Sequence, residues 1–186
     1  MNPVQFIHNR ASLFKSDIYG FKLLSYQLQS VQSVDKPKDF LRNLVETHGY
    51  QLLFISRTNL LRQVLSKRLA YTRKIWHQKT ASVSPTKMKV DLNILLKNLQ
   101  AGKMLEDFEN NMIEGFPYME VNYENNLSSP EKQLQLTDQL AEYLSIDPFE
   151  PNIKLKKISP TGFDDYIDNH QEMIDFISKT EFSGYL

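Results

Sequence analysis

Arg57 is the first cation after an uninterrupted apolar run, Leu52-Leu-Phe-Ile55, and it stands just before a helical pattern. In open α/β sheets ligands sit beyond the carboxyl ends of the strands. A helix that starts there offers N–H groups and a partial positive charge to an anion. Arginine adds a planar fork that holds phosphate bidentately. Ser66, two turns into the helix, supplies a hydroxyl to the same group if Arg57 folds back over it. The pattern reads as a phosphate site, and equally as a strand-end arginine paired with a carboxylate. Other chemistry is scarce. The chain has no cysteine, which excludes disulfides, thiolate nucleophiles and cysteine-based zinc or iron–sulfur sites. Its four histidines, His8, His48, His77 and His170, have no metal-ligand spacing such as H-E-x-x-H, so no metal is expected. His48 and His77 are the available bases, but a lone histidine beside a helix is usually a surface or capping residue.

The elements that must position these residues follow from periodicity. The 186 residues (21.8 kDa) suit one domain with a sizeable core, and 41% hydrophobic with 24% charged residues is an ordinary globular composition. Residues 18–24, aromatic and branched around Gly20, form a β-type run. Helical spacing over 39–48 ends at Gly49, a C-terminal cap. The run 52–55 reads as a strand buried on both faces, as in a parallel sheet covered by helices. Thr58 or Asn59 caps the next helix, which Leu61, Leu65, Leu69 and Trp76 line on one side. A loop over 81–86 precedes a long amphipathic stretch through Val90, Ile94, Leu95, Leu99, Leu105, Phe108, Met112 and Ile113, with Gly102 where it bends or splits. Residues 118–123 alternate as a strand. Ser128-Ser-Pro-Glu131 starts a helix carrying Leu134, Leu136, Leu140 and Leu144. A short basic strand or extended loop spans 153–158, and 163–178 read as a last amphipathic helix. Alternating strands and helices imply an α/β sheet with parallel pairs.

Several of these segments resemble one family. Leu53-Phe-Ile-Ser-Arg57-Thr-Asn59-Leu-Leu61-Arg62-Gln63-Val-Leu-Ser66 is similar to the segment of bacterial sulfotransferases that binds the 3′-phosphate of PAPS (3′-phosphoadenosine-5′-phosphosulfate), roughly "ILLxRRNxLRQxVS". The likeness continues in register through Ala70 and Thr72 to Trp76-His77. Val121-Asn-Tyr123-Glu124-Asn-Asn-Leu127 with Pro130 resembles the family's "VxYEDLxxxP", and Tyr143-Leu144-Ser-Ile146 its "FLGL". Lys156-Lys157-Ile-Ser-Pro160 and Tyr166-Ile167-Asp-Asn169 are similar to the closing "KKxSPxxLxxxIxN", and Gly20-Phe21-Lys22 to an upstream "GFK" strand.

This resemblance implies a P-loop-NTPase-like parallel sheet with flanking helices, and sulfuryl transfer from PAPS to a hydroxyl or amine on a small-molecule or glycan acceptor. By position Arg57 and Ser66 hold the 3′-phosphate. Lys156 and Lys157 lie where a C-terminal loop closes over the cofactor; their competing reading is solvated charge on a short strand. Lys22 falls near a family lysine close to the sulfuryl group, against the simpler reading of an ordinary edge-strand lysine. Trp76 is expected to pack, and Tyr123-Glu124 to tie the strand to neighbouring backbone. The family's other half-site, a strand–loop–helix reading P-x-S-G-T-T that cradles the 5′-phosphosulfate, has no counterpart. The six glycines (20, 49, 102, 115, 162 and 184) include no two closer than 13 residues, so a G-x-x-x-x-G-K-[ST] loop is ruled out. The expectation is one sulfotransferase-like domain over 1–186, beginning about midway through the family pattern and lacking its N-terminal strand–loop–helix. Its catalysis is in doubt, it binds PAPS or adenosine 3′,5′-bisphosphate, and an oligomer or partner completes the sheet.

Net charge separates a second reading from the first. The total of 22 basic and 22 acidic residues conceals a block, 51–90, with no Asp or Glu and nine cations: Arg57, Arg62, Lys67, Arg68, Arg73, Lys74, Lys79, Lys87 and Lys89. The remaining residues hold 13 basic and 22 acidic side chains. Segregation of this kind implies an anionic partner, or else a solvated face neutralised by acidic neighbours. The alternative function is a non-catalytic polyanion- or nucleic-acid-binding module using that block, with Tyr71 and Trp76 among its cations. Against it, the block contains a strand and a core helix face and no nucleic-acid motif. No targeting segment or apolar run of bilayer length is present, so a cytoplasmic protein without a membrane partner is expected.

Overall fold

The computed structural model describes residues 3–15, 18–30, 34–74, 87–151 and 162–186. Among them the elements run α1 (Pro3–Ala11), α2 (Ser25–Ser30), α3 (Pro37–Arg42), a π-helical turn (Asn43–Thr47), β1 (Leu52–Ser56), α4 (Leu60–Arg73), α5 (Leu92–Ile113), β2 (Tyr118–Asn122), a second π-helical turn (Tyr123–Leu127), α6 (Pro130–Leu144), α7 (His170–Ile177) and a 3-10 turn (Ser183–Tyr185). β1 and β2 pair in parallel, giving a mixed helix-and-strand chain. A parallel pair needs a crossover, and α4 and α5 lie on that connection. The chain divides into two compact units: Met1–Leu52 with Leu105–Tyr118, and Leu53–Met104 with Met119–Leu186. No helix among the described residues is long and apolar enough to cross a membrane. The expectations for the 81–86 loop, the 153–158 strand, Trp76, His77, Lys156 and Lys157 lie outside the described residues.

In the second unit, Asn59 caps α4, its Oδ1 accepting the Arg62 N–H at 2.9 Å. Leu61, Leu65 and Leu69 then recur on one face and are fully buried, each stabilising by roughly 1.5–3 kcal/mol. They join Leu95 and Leu99 of α5 with Tyr166, Ile167, Met173 and Ile177 in one core. α5 runs unbroken through Gly102, where a Cβ would stand 2.8 Å from Leu60 Cδ1. That glycine permits close approach and does not split the helix. The expected 163–178 helix shortens to His170–Ile177, because the backbone before it pairs elsewhere. Met88 N–H donates to Tyr166 O and Asp168 N–H to Met88 O, both at 2.9 Å. Asn169 clamps the adjoining residue, accepting Val90 N–H at 2.8 Å and donating to Val90 O at 3.0 Å. α6 starts as read, with Ser129 at the cap and Pro130 in the first turn, but it buries Leu136, Thr137 and Ala141 and exposes Leu134. β1 departs from the expected strand buried on both faces: Leu53 (43%) and Ile55 (60%) are exposed. These two alternate residues share one face of the strand, so β1 is not enclosed on both faces; among the described residues the sheet has two strands.

In the first unit Pro37 opens α3, and Gly49, two residues past the π-helical turn, has a φ of +69°, the left-handed conformation that stops a helix. Leu28, Leu41 and Leu44 are fully buried, and the Ser25 hydroxyl of α2 donates to Glu109 of α5. Residues 18–24 form no strand. Their aromatic side chains stack with other rings: Tyr19 on Phe14 (5.3 Å between centroids), and Phe21 edge-on to Tyr50 (5.7 Å).

Candidate anion site at the end of β1

Both strands deliver polar residues at their carboxyl ends, and those residues hydrogen-bond to one another. Ser56, last in β1, donates to Glu120 Oε1 at 2.6 Å. Asn122, last in β2, donates through Nδ2 to Ser56 Oγ (3.1 Å) and Thr58 Oγ1 (2.9 Å). Its Oδ1 accepts the Asn125 N–H (3.1 Å) while its own N–H donates to Asn126 Oδ1 (2.8 Å). These bonds fix the π-helical turn that carries Tyr123 and Glu124. Lys132 Nζ and Ser128 Oγ both donate to the Glu124 carbonyl, at 2.7 and 2.8 Å.

Arg57 lies inside this frame. Its guanidinium carbon sits 4.1 Å from the centre of the Tyr123 ring, a cation–π contact. Its Nε is 3.6 Å from Glu124 Oε1. The side chain is only 22% exposed, and the buried Nε has no hydrogen-bond partner among the described residues. The other carboxylate oxygen of Glu124 accepts the Thr58 N–H at 2.9 Å. One carboxylate therefore faces both the arginine and the backbone leading into α4. Asn59, besides capping α4, donates from Nδ2 to Tyr185 O at 2.9 Å, which ties the chain's last turn to the same helix start.

Tyr166 reports the local field. Burial pushes its phenol up from the ordinary range, while first Arg62 and then Arg57 pull it down. Two guanidinium groups thus act on one buried phenol near the start of α4, and Arg62 also covers the Phe163 ring at 4.7 Å. Two arginines with a helix N-terminus make a setting for an anion, with Glu124 as the internal counter-charge. Among the described residues no group of three or more His, Asp or Glu side chains gathers as metal ligands.

Of the two readings open for Arg57, the structure shows the carboxylate pairing, and Glu124 ties backbone as anticipated for Tyr123-Glu124. Ser66 is half-buried on α4, six residues beyond Leu60 and so ~9 Å along the axis. Arg62, one turn before it, shares its side of the helix. Lys22 is exposed and belongs to the other unit. The sequence reading passed over Arg62 and Tyr166 as site residues. Arg62 had a signal, the four-residue spacing to Ser66; Tyr166 had none, since nothing local in its turn indicates that it packs near two arginines. Comparison with models of known families, with curated proteins and with solved structures finds no match.

Proposed function

We propose that this chain is a sulfotransferase-like protein that binds a 3′-phosphoadenosine nucleotide, PAPS or adenosine 3′,5′-bisphosphate, with its 3′-phosphate between Arg57 and the start of α4. The observation that carries the reading is Arg57 itself. It follows a strand of a parallel pair, precedes the N-terminus of a 14-residue helix, and is held against the Tyr123 ring with its Nε turned to Glu124. Tyr123 fixes the plane of the guanidinium and Glu124 stands at its Nε edge, so the Nη end is the edge assigned to phosphate. Ser66 and Arg62 line the side of α4 along which a second contact would run. The fold of this reading is the P-loop-type α/β sheet of the family the sequence resembles, and the parallel β1–β2 pair with its helical crossover is compatible with it.

PAPS, when bound, supplies the activated sulfuryl group. The residues of this chain hold the 3′-phosphate and set the charge around it. Transfer of such a group depends on positioning and on stabilising its developing charge. The 5′ side of the nucleotide finds no glycine-rich cradle in this sequence, so transfer to a hydroxyl or amine acceptor is expected to be slow or absent. Calorimetric titration with adenosine 3′,5′-bisphosphate tests the assignment. Arg57→Ala removes a charge-assisted contact of about 1.5–3 kcal/mol and should weaken binding roughly tenfold to a hundredfold. Equal affinity for parent and variant would remove Arg57 from the site.

A further inference from the structure

His8 and His48, 40 residues apart in the sequence, meet in the first unit with His8 Nε2 only 2.9 Å from His48 Nδ1. Their ring centroids are 4.3 Å apart and their planes are tilted by 58°. His8 has a ring neighbour, and the backbone that carries the exposed His48 is pinned. His8 is half-buried on α1 with the Tyr50 ring 5.8 Å away, and Tyr50 meets the edge of Phe21. His48 stands in a turn pinned by three successive backbone bonds: His48 N–H to Asn43 O (3.2 Å), Gly49 N–H to Val45 O (3.1 Å) and Tyr50 N–H to Leu44 O (3.1 Å). The positive φ of Gly49 lets the chain turn between the two ring-bearing residues.

Two imidazole nitrogens this close must share either a proton or a metal ion. A collinear N–H···N bond of ~3 Å sets the ring centroids about 5 Å apart. Two nitrogens each ~2.1 Å from one ion and at ~90° to one another, the cis angle of square-planar or tetragonal ions, also stand about 3 Å apart, but their lone pairs converge at an angle and the rings draw closer. The short centroid distance puts the pair nearer the second arrangement. We propose that His8 and His48 chelate one divalent transition-metal ion that takes imidazole ligands at ~90°, Ni²⁺ or Cu²⁺, with solvent in the remaining positions. Mg²⁺ and Ca²⁺, which take oxygen ligands, are not its ions. Bound metal links α1 to the turn at Gly49, and because it binds the folded chain it stabilises that chain by mass action. The site is independent of the Arg57 site, which lies in the other unit.

Titration of the full chain with Ni²⁺ and with Cu²⁺, followed by calorimetry, tests this. The expected result is one ion per chain, with His8→Gln and His48→Gln each weakening binding at least tenfold and His170→Gln leaving it unchanged. A measurement on the unaltered chain guards against misfolded variants: sub-stoichiometric Cu²⁺ should broaden the imidazole proton resonances of His8 and His48 before those of His77 and His170. Absence of binding, affinities within twofold of the parent for both pair variants, or broadening that starts at His77 or His170 would overturn the proposal and leave the pair sharing a proton.

Discussion

Glu124 holds Arg57 at one carboxylate oxygen and the Thr58 N–H at the other. Those two tasks separate on substitution. Glu124→Gln keeps an oxygen for the Thr58 N–H and, on the proposed reading, removes the charge that competes with phosphate for Arg57. The pair is partly exposed, 22% and 31%, so the competition amounts to about 1 kcal/mol. Glu124→Gln should therefore bind adenosine 3′,5′-bisphosphate about fivefold more tightly, measured calorimetrically beside the parent. Unchanged or weaker binding by a correctly folded variant would make Glu124 a support for Arg57 and not its competitor. At this scale sequence and structure agree on what is local. Asn59 as a cap and Gly49 as a left-handed terminus follow from one residue and its neighbours. The Arg57–Glu124 pairing and the His8–His48 contact join residues far apart in the chain, and side-chain type carries no information about which distant residue will arrive.

Among the elements, α4 and α5 were legible because both bury a stripe at helical period, Leu61, Leu65 and Leu69 on one and Leu95 and Leu99 on the other. What periodicity could not supply was the role of Gly102, which depends on Leu60 lying against it. Alanine at 102 gains about 1 kcal/mol of helix propensity, while forcing a methyl against Leu60 costs roughly 1–3 kcal/mol. Gly102→Ala should thus lower stability by about 1 kcal/mol, taken as the difference of those terms. In a Leu60→Ala background the crowding is gone, and the same change should raise stability by about 1 kcal/mol. Urea unfolding of the four proteins reads both effects, and the same sign in both backgrounds would show that the Leu60 contact does not govern position 102. β1 failed for a related reason. An all-apolar run of four residues fits enclosure on both faces, yet burial of Leu53 and Ile55 needs covering elements that a run in isolation cannot specify. Residues 18–24 likewise carry β-forming side chains, but their rings pack against Phe14 and edge-on to Tyr50 and no ladder forms.

Over the whole molecule, charge balance is the most misleading number and the most useful one once divided. Nine cations without an acidic neighbour in sequence fall within 51–90, and α4 alone carries Arg62, Lys67, Arg68 and Arg73. This field attracts any anion, whereas the frame of Tyr123, Glu124 and the α4 N-terminus fixes one arginine in one plane. If this fixed arginine recognises a 3′-phosphate, as proposed, binding must separate two nucleotides that differ in that group alone. Titrating the unaltered chain with adenosine 3′,5′-bisphosphate and with adenosine 5′-monophosphate should give at least tenfold tighter binding of the bisphosphate, the worth of one charge-assisted contact. Equal affinity for the two, or failure of the bisphosphate to bind, would contradict it.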